Sequence, residues 1–196
     1  MKILAFGDTH GNINYIKRII EKIKREKPDV VVCSGDLTNF GQNIKKYINI
    51  FPEDVLMLMV PGNHESSELL DEVNKRKNLI NLHKKSFENN NYIFFGYGEG
   101  GFSYVDKEFD VTSKRFKEYI KDKKVVLVTH APPYGTGLDF LPTLGNRGNK
   151  SIRNFIDEVN PVLCISGHLH ENSGKSFKLK NSLLINPGPL GKLIEV

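Results

Sequence analysis

Short apolar runs and amphipathic stripes alternate along this chain. Residues 2–6 form the first apolar run. Ile13, Ile16, Ile19, Ile20 and Ile23 then recur at the spacing of one helix face, which predicts a helix over 13–26. Asp29–Ser34, nearly all valine, predicts a second strand, and Val55–Val60 a third. Between them Ile44, Tyr47, Ile48 and Phe51 mark another helical face. After the third strand, Ser66 is suited to cap a helix carrying Leu69, Leu70 and Val73. Uniformly apolar strands that alternate with helices predict a sheet covered on both faces.

The middle of the chain is less regular. Leu82–Phe87 and Tyr92–Gly96 flank Glu88-Asn89-Asn90-Asn91, which predicts a hairpin, and a glycine-rich loop, 96–101, follows. A helix is predicted over 112–121, leading into a strand at Val125–Thr129. Ile152, Phe155, Ile156 and Val159 give a clear helix face, and Pro161 precedes a strand at Val162–Ser166. Ser176–Leu179, Ser182–Ile185 and Lys192–Val196 read as short β segments around Asn186-Pro187-Gly188. No repeat and no linker is evident, so the expectation is one domain over 1–196. Its predicted class is α/β: a two-sheet β-sandwich with helices outside.

Polar residues interrupt this pattern where apolar runs end. The interruptions are Asp8-Thr9-His10, Gly35-Asp36, Gly62-Asn63-His64-Glu65, Thr129-His130 and Gly167-His168-Leu169-His170, and they hold five of the six histidines. Carboxylates and neutral imidazoles suit divalent transition-metal ions. Loops at the carboxyl ends of parallel strands are where open α/β folds bind ligands. Taken singly, His10 or His130 reads as an ordinary hydrogen-bonded residue at a strand end. Five motifs in register are a much more specific signal. Gly35, Gly62 and Gly167 precede ligand candidates, where a strand must turn sharply. His83 belongs to no motif and is expected at the surface or in the hairpin.

The order D-x-H, G-D, G-N-H-E, T-H, G-H-x-H, running from Asp8 to His170, resembles the calcineurin-like metallophosphoesterase family. The resemblance implies the same β-sandwich and two divalent metal ions, Mn²⁺ first, with Fe, Zn²⁺, Ni²⁺ or Mg²⁺ as alternatives. Carried over residue by residue, Asp36 bridges the metals. Asp8, His10 and His170 complete one site, and Asn63, His130 and His168 the other. A bridging water, its pKa lowered by two cations, is the implied nucleophile. His64 is implied to protonate the leaving group, a role suited to an imidazole, with its ordinary pKa of about 6.5. The Asn186-Pro187-Gly188 turn resembles one found in small phosphodiesterases of the family and is expected to pack behind the site.

One departure narrows the resemblance. Phosphoprotein phosphatases of the family carry G-D-x-V-D-R-G, in which the second aspartate supports the catalytic histidine and the arginine holds phosphate. Here Asn39 and Phe40 occupy those places. This points to the phosphodiesterase-type branches and to a small phosphate-ester substrate, a nucleotide among the candidates. A phosphomonoesterase or nuclease of the same fold is the alternative, and a non-catalytic interaction scaffold the alternative from another class. Tyr134, in a T-H-x-P-P stretch, is expected to wall the substrate pocket and stack on a base or leaving group. Arg147 is a candidate phosphate contact, or equally a surface residue near a helix N-terminus.

Composition changes this picture little. The 196 residues are 39% hydrophobic and 26% charged, as in ordinary globular proteins. No apolar run approaches the ~20 residues of a membrane span, and the start of the chain does not read as a signal peptide. Cys33 and Cys164 are expected as buried strand residues, and a reducing cytoplasm as the compartment. The net charge of +5 arises largely from lysine clusters at 22–27, 74–77 and 121–124. They read as solvated helix faces, and a stable nucleic-acid complex is not expected. The oligomeric state is left open.

Overall fold

Asn12 starts the first helix: its side chain accepts a hydrogen bond from Asn14 N at 3.0 Å, and α1 runs Ile13–Glu26. Ile16, Ile19, Ile20 and Ile23 are its buried face. The helix lies between two strands, β1 (Lys2–Phe6) and β2 (Val30–Cys33), that pair in parallel. α2 (Ile44–Ile50) and β3 (Leu56–Met59) repeat the pattern, and α3 (Ser67–Asp71) leads towards β4 (Leu79–Asn81). The computed structural model describes residues 1–71, 76–120 and 122–196. Val73, Asn74, Lys75 and Lys121, named above, lie outside them, as do the side chains of Ser67 and Leu69.

The second half begins with the hairpin of β5 (Lys85–Asn89) and β6 (Tyr92–Tyr97). Next come α4 (Lys107–Lys117), β7 (Lys124–Thr129), and a short pairing of β8 (Phe140–Leu141) with β9 (Gly145–Asn146). α5 (Lys150–Val159), β10 (Leu163–Ile165), β11 (Ser176–Leu179), β12 (Ser182–Ile185) and β13 (Lys192–Glu195) complete the order. One sheet runs β13-β1-β2-β3-β4, the other β11-β12-β10-β7-β6-β5. β1 to β4 are parallel in the first, and β6, β7, β10 and β12 in the second.

Two apolar faces per strand give each sheet two cores. Ile3, Val30, Val32 and Leu58 of the first sheet share a buried cluster with Phe94, Val126, Val128 and Ile165 of the second. The opposite faces of the same strands pack under helices. Leu4, Val31 and Met57 meet the α1 isoleucines, and Phe95, Leu127 and Cys164 meet Phe109, Phe116 and Phe155. The architecture is the expected α/β two-sheet sandwich flanked by helices. Cys33 and Cys164 are fully buried strand residues. Among the described residues no helix is long and apolar enough to cross a membrane.

Three expectations need correction. α4 begins at Lys107, well before 112, because Asp106 caps it by accepting from Phe109 N at 2.9 Å and Phe109 starts its buried face. The predicted strand Leu82–Phe87 is shortened: β4 ends at Asn81, residues 82–84 cross between the sheets, and β5 begins at Lys85 after Lys84 turns through φ +57°. His83 lies in that crossing and is buried, not at the surface. Its Nδ1 accepts from Gly98 N at 3.0 Å, and its ring packs against Tyr97.

Candidate metal centre

Each motif follows the carboxyl end of a parallel strand: β1, β2, β3, β7 or β10. Sheet order therefore gathers residues distant in sequence at one rim. The turns are tight enough that four candidate ligands adopt left-handed backbone: Asp8 (φ 55°), His10 (φ 46°), Asp36 (φ 51°) and His168 (φ 70°). Such conformations are costly for residues with a Cβ and cluster at functional sites. The glycines have a different task from the one expected of them. Only Gly35 has a positive φ, +104°; Gly62 and Gly167 supply room. A Cβ on Gly62 would collide with Asp36 Oδ1, and one on Gly167 would lie 2.7 Å from Asp8 Oδ2.

Asp36 stands in the middle. Its Oδ2 is 3.7 Å from His10 Nε2 and 3.5 Å from His130 Nε2, and its Oδ1 accepts from His64 N at 2.9 Å. On one side His10 Nε2 faces His170 Nε2 at 3.0 Å, and His170 Nε2 lies 3.9 Å from Asp8 Oδ1. On the other, Asn63 Oδ1 is 2.9 Å from both His130 Nε2 and His168 Nδ1. Asp8, His10 and His170 bring donor atoms within 4.8 Å of one another, as do Asp8, Asp36 and His130. The trio His10, Asp36 and His64 does the same, so His64 lies within reach of this cluster.

The hydrogen bonds behind the histidines decide which nitrogen faces inward. His130 Nδ1 lies 2.9 Å from Ser34 O, which only a protonated Nδ1 satisfies, and His10 Nδ1 lies 3.1 Å from Asn39 Oδ1. In neutral rings the Nε2 lone pair of His130 then points at Asn63 Oδ1 and Asp36 Oδ2, and that of His10 at Asp36 Oδ2. Asp8 Oδ2 and His168 Nε2 are buried without a hydrogen-bond partner. Converging lone pairs repel unless a cation lies between them, and a carbonyl or carboxylate behind a histidine is the usual support of a metal ligand. The donor set therefore fits divalent metal ions.

Burial sets the charges. It pushes the Asp8 carboxyl up to about 7 although His168 N donates to it, with repulsion from Asp36 and Glu65 adding to the rise. Burial also lowers His130 and His10, and takes His168 down to about 4. Neutral imidazoles are the form that binds metals.

Several contacts were not legible in the sequence. Asn39 meets His10 and not His64, so it is not a substitute support for a proton donor. Phe40 covers His64 instead, with ring centroids 4.4 Å apart, and is 72% exposed at φ +50°. Phe102, also exposed, packs edge-on against His168 at 4.7 Å. Glu65 is buried and ties two motif loops together. Its Oε1 accepts from Thr38 N (2.7 Å) and Thr38 Oγ1 (3.0 Å), and its Oε2 from Gly62 N (3.2 Å). The glutamate of G-N-H-E was the available signal. Tyr134 packs against Tyr104 under Lys150, and Arg147 donates to the Tyr104 hydroxyl at 2.6 Å. Neither Tyr134 nor Arg147 lines the cleft beside Asp8, whereas Pro187 and Gly188 do, so the Asn186-Pro187-Gly188 turn borders the site instead of lying behind it.

Comparison with known proteins identifies relatives of the whole chain. An uncharacterised protein of Methanocaldococcus jannaschii, MJ1162, is 32% identical over 198 residues, covering 96% of this chain and 88% of its own. A probable glycerophosphodiester phosphodiesterase, GpdQ, of Arcobacter nitrofigilis is 25% identical over 208 residues, covering 88% of this chain and 73% of its own. The crystal structure of TT1561 of Thermus thermophilus shares the fold with a TM-score of 0.79 at 19% identity, covering 96% of this chain and 89% of that one. A structure described as a novel archaeal phosphodiesterase shares it with a TM-score of 0.54 at 20% identity, covering 96% and 84%. The model of the calcineurin-like phosphoesterases matches residues 1–172, and the chain belongs to that family of metal-dependent phosphoric ester hydrolases.

Proposed function

We propose that the protein is a binuclear metal-dependent phosphodiesterase. The observation that carries this is Asp36 Oδ2, placed 3.7 Å from His10 Nε2 and 3.5 Å from His130 Nε2 between two separate groups of donors. In this reading Asp8, His10, Asp36 and His170 hold one ion, and Asp36, Asn63, His130 and His168 the other, with Mn²⁺ the first candidate. When bound, two such ions supply Lewis-acid charge at phosphorus and a nucleophile at neutral pH. The relative from Arcobacter nitrofigilis, a probable glycerophosphodiester phosphodiesterase, supports a diester substrate.

The chain's own residues do the rest. His64 is tethered through its backbone N–H to Asp36 and held from above by Phe40, beside the ions. Its Nδ1 is buried, so we assign Nε2 as the atom that gives a proton to the leaving oxygen. An exposed phenyl ring where phosphoprotein phosphatases carry arginine offers no charge to a monoester dianion. Among the described residues, no lysine or arginine lines the cleft beside Asp8 either. Both features favour a diester monoanion. Arg147 and Tyr134 are proposed as contacts only for a substrate long enough to pass Phe102.

His64→Ala tests the assignment. The variant is expected to keep two metals per chain by metal analysis. It should lose about 10²–10⁴-fold of its rate on a nucleotide diester, and far less on bis-p-nitrophenyl phosphate, whose leaving group needs no proton. Loss of a metal makes His64 a ligand. Equal slowing on both substrates makes it a phosphate contact. Wild-type activity on p-nitrophenyl phosphate far above that on its bis-ester refutes the diester preference.

A further inference from the structure

Beside Asp8, His10 and His170 the surface opens into a cleft of about 560 Å³. Tyr15, half-buried on α1, and the turn Pro187–Leu190 after β12 form its outer walls. The turn is held in place. Lys22 Nζ donates to Leu190 O and Gly191 O at 2.9 Å each, and Gly188 N donates to Asn186 Oδ1 at 3.0 Å. The cleft is thus preformed, and Lys22 and Lys192, which reach its rim, are engaged by the backbone carbonyls of Leu190, Gly191 and Gly174.

Its chemistry is narrow. Among the described residues, no charged or titratable side chain lines it apart from Asp8, the two histidines of the metal centre and Tyr15. An aromatic ring, two prolines and a leucine provide apolar walls. Asn12, Ser173 and Thr9 are the neutral polar residues; the Thr9 hydroxyl already donates to Leu37 O at 2.8 Å, whereas the Asn12 Oδ1 caps α1 and leaves its amide N–H groups to donate. Few polar groups among apolar walls are typical of a site for a neutral organic moiety. The absence of lysine and arginine from the lining argues against a second phosphate there. The volume far exceeds a glycerol and suits a nucleoside.

We propose that this cleft is a nucleoside subsite: the substrate is a nucleotide phosphodiester whose retained nucleoside lies in the cleft with its base on Tyr15. The proposal rests on the reading of the metal centre as a phosphodiesterase. The nucleoside is the retained group and not the leaving group because His10 and His170 border the cleft and His64, the assigned proton donor, does not.

Two measurements test it. In saturation-transfer NMR on metal-stripped protein, the probe is thymidine, which carries no phosphate. Its base protons should be saturated by the wild type and by Tyr15→Phe, and not by Tyr15→Ala. In kinetics with Mn²⁺, thymidine 5′-p-nitrophenyl phosphate and methyl p-nitrophenyl phosphate share a leaving group and differ only in the retained one. The wild type should favour the thymidine ester about tenfold or more in kcat/KM, the scale of one base stacked on an aromatic ring. Tyr15→Ala should bring the ratio near one through KM, and Tyr15→Phe should restore it. A wild-type ratio near one, or no saturation of thymidine by the wild type, overturns the subsite. Saturation of thymidine with neither ester hydrolysed by metal-loaded protein upholds the subsite and overturns the phosphodiesterase reading instead.

Discussion

Replacing Glu65 by glutamine should cost stability at low pH and little or none at high pH. Glu65 is buried and joins the loop after β2 to the loop after β3, and so fixes Asp36 relative to Asn63 and His64. Burial raises its carboxyl from 4.5 to about 7, against the hydrogen bonds from Thr38 and Gly62 that favour the anion. In metal-free protein the folded state therefore keeps this proton up to about pH 7, whereas the unfolded chain releases it near 4.5. Between those values the folded state binds more protons, and stability falls as pH rises. At ~1.4 kcal/mol per pH unit the fall is about 3 kcal/mol, complete just above pH 7.

Glu65→Gln removes this titration. It also turns an acceptor into a donor opposite Gly62 N, which leaves that buried N–H unsatisfied at a cost of about 1–3 kcal/mol. The variant should be less stable than the wild type at pH 5, and about equal to it or more stable at pH 8. Urea denaturation of metal-stripped wild type and variant at both pH values measures the difference, and other titrating groups largely cancel in it. If the cost of the substitution is the same at pH 5 and pH 8, Glu65 does not titrate between them and the reasoning fails.

Two further outcomes follow from the geometry. Gly62→Ala places a Cβ against the Asp36 carboxylate, so metal affinity should fall at least tenfold by calorimetric titration with Mn²⁺; unchanged affinity would mean the loop yields without moving Asp36. Asn39→Ala removes the acceptor behind His10 Nδ1 and should weaken one of the two metal-binding steps about 10–100-fold while the other changes little. An equal loss at both steps, or none, would show that Asn39 does not set the orientation of His10.

Periodicity and composition alone determined much of this protein. The apolar runs place β1 and β12, the isoleucine stripe places α1 with its observed bounds, and the motifs mark the strand ends that carry the candidate ligands. These are local consequences of residue spacing, because a strand or helix buries whichever face the sequence makes apolar. Where local signals were weak, boundaries shifted. Asp106 and Phe109 extend α4 backwards, and the left-handed turn at Lys84 delays β5 so that the first half of one expected strand is the crossing between two sheets. What meets what at the rim was decided by tertiary structure. Asn39 lies between Asp36 and His64 in sequence, yet its side chain meets His10, across from it on the neighbouring strand's loop. Phe40 covers His64, and His83 is drawn inside to hold Gly98. Tyr15 and Leu190 wall one cleft because β13 pairs with β1 and brings the end of the chain back beside α1. Spacing along a chain carries no information about such encounters, since they depend on sheet order and on the direction in which each turn leaves its strand.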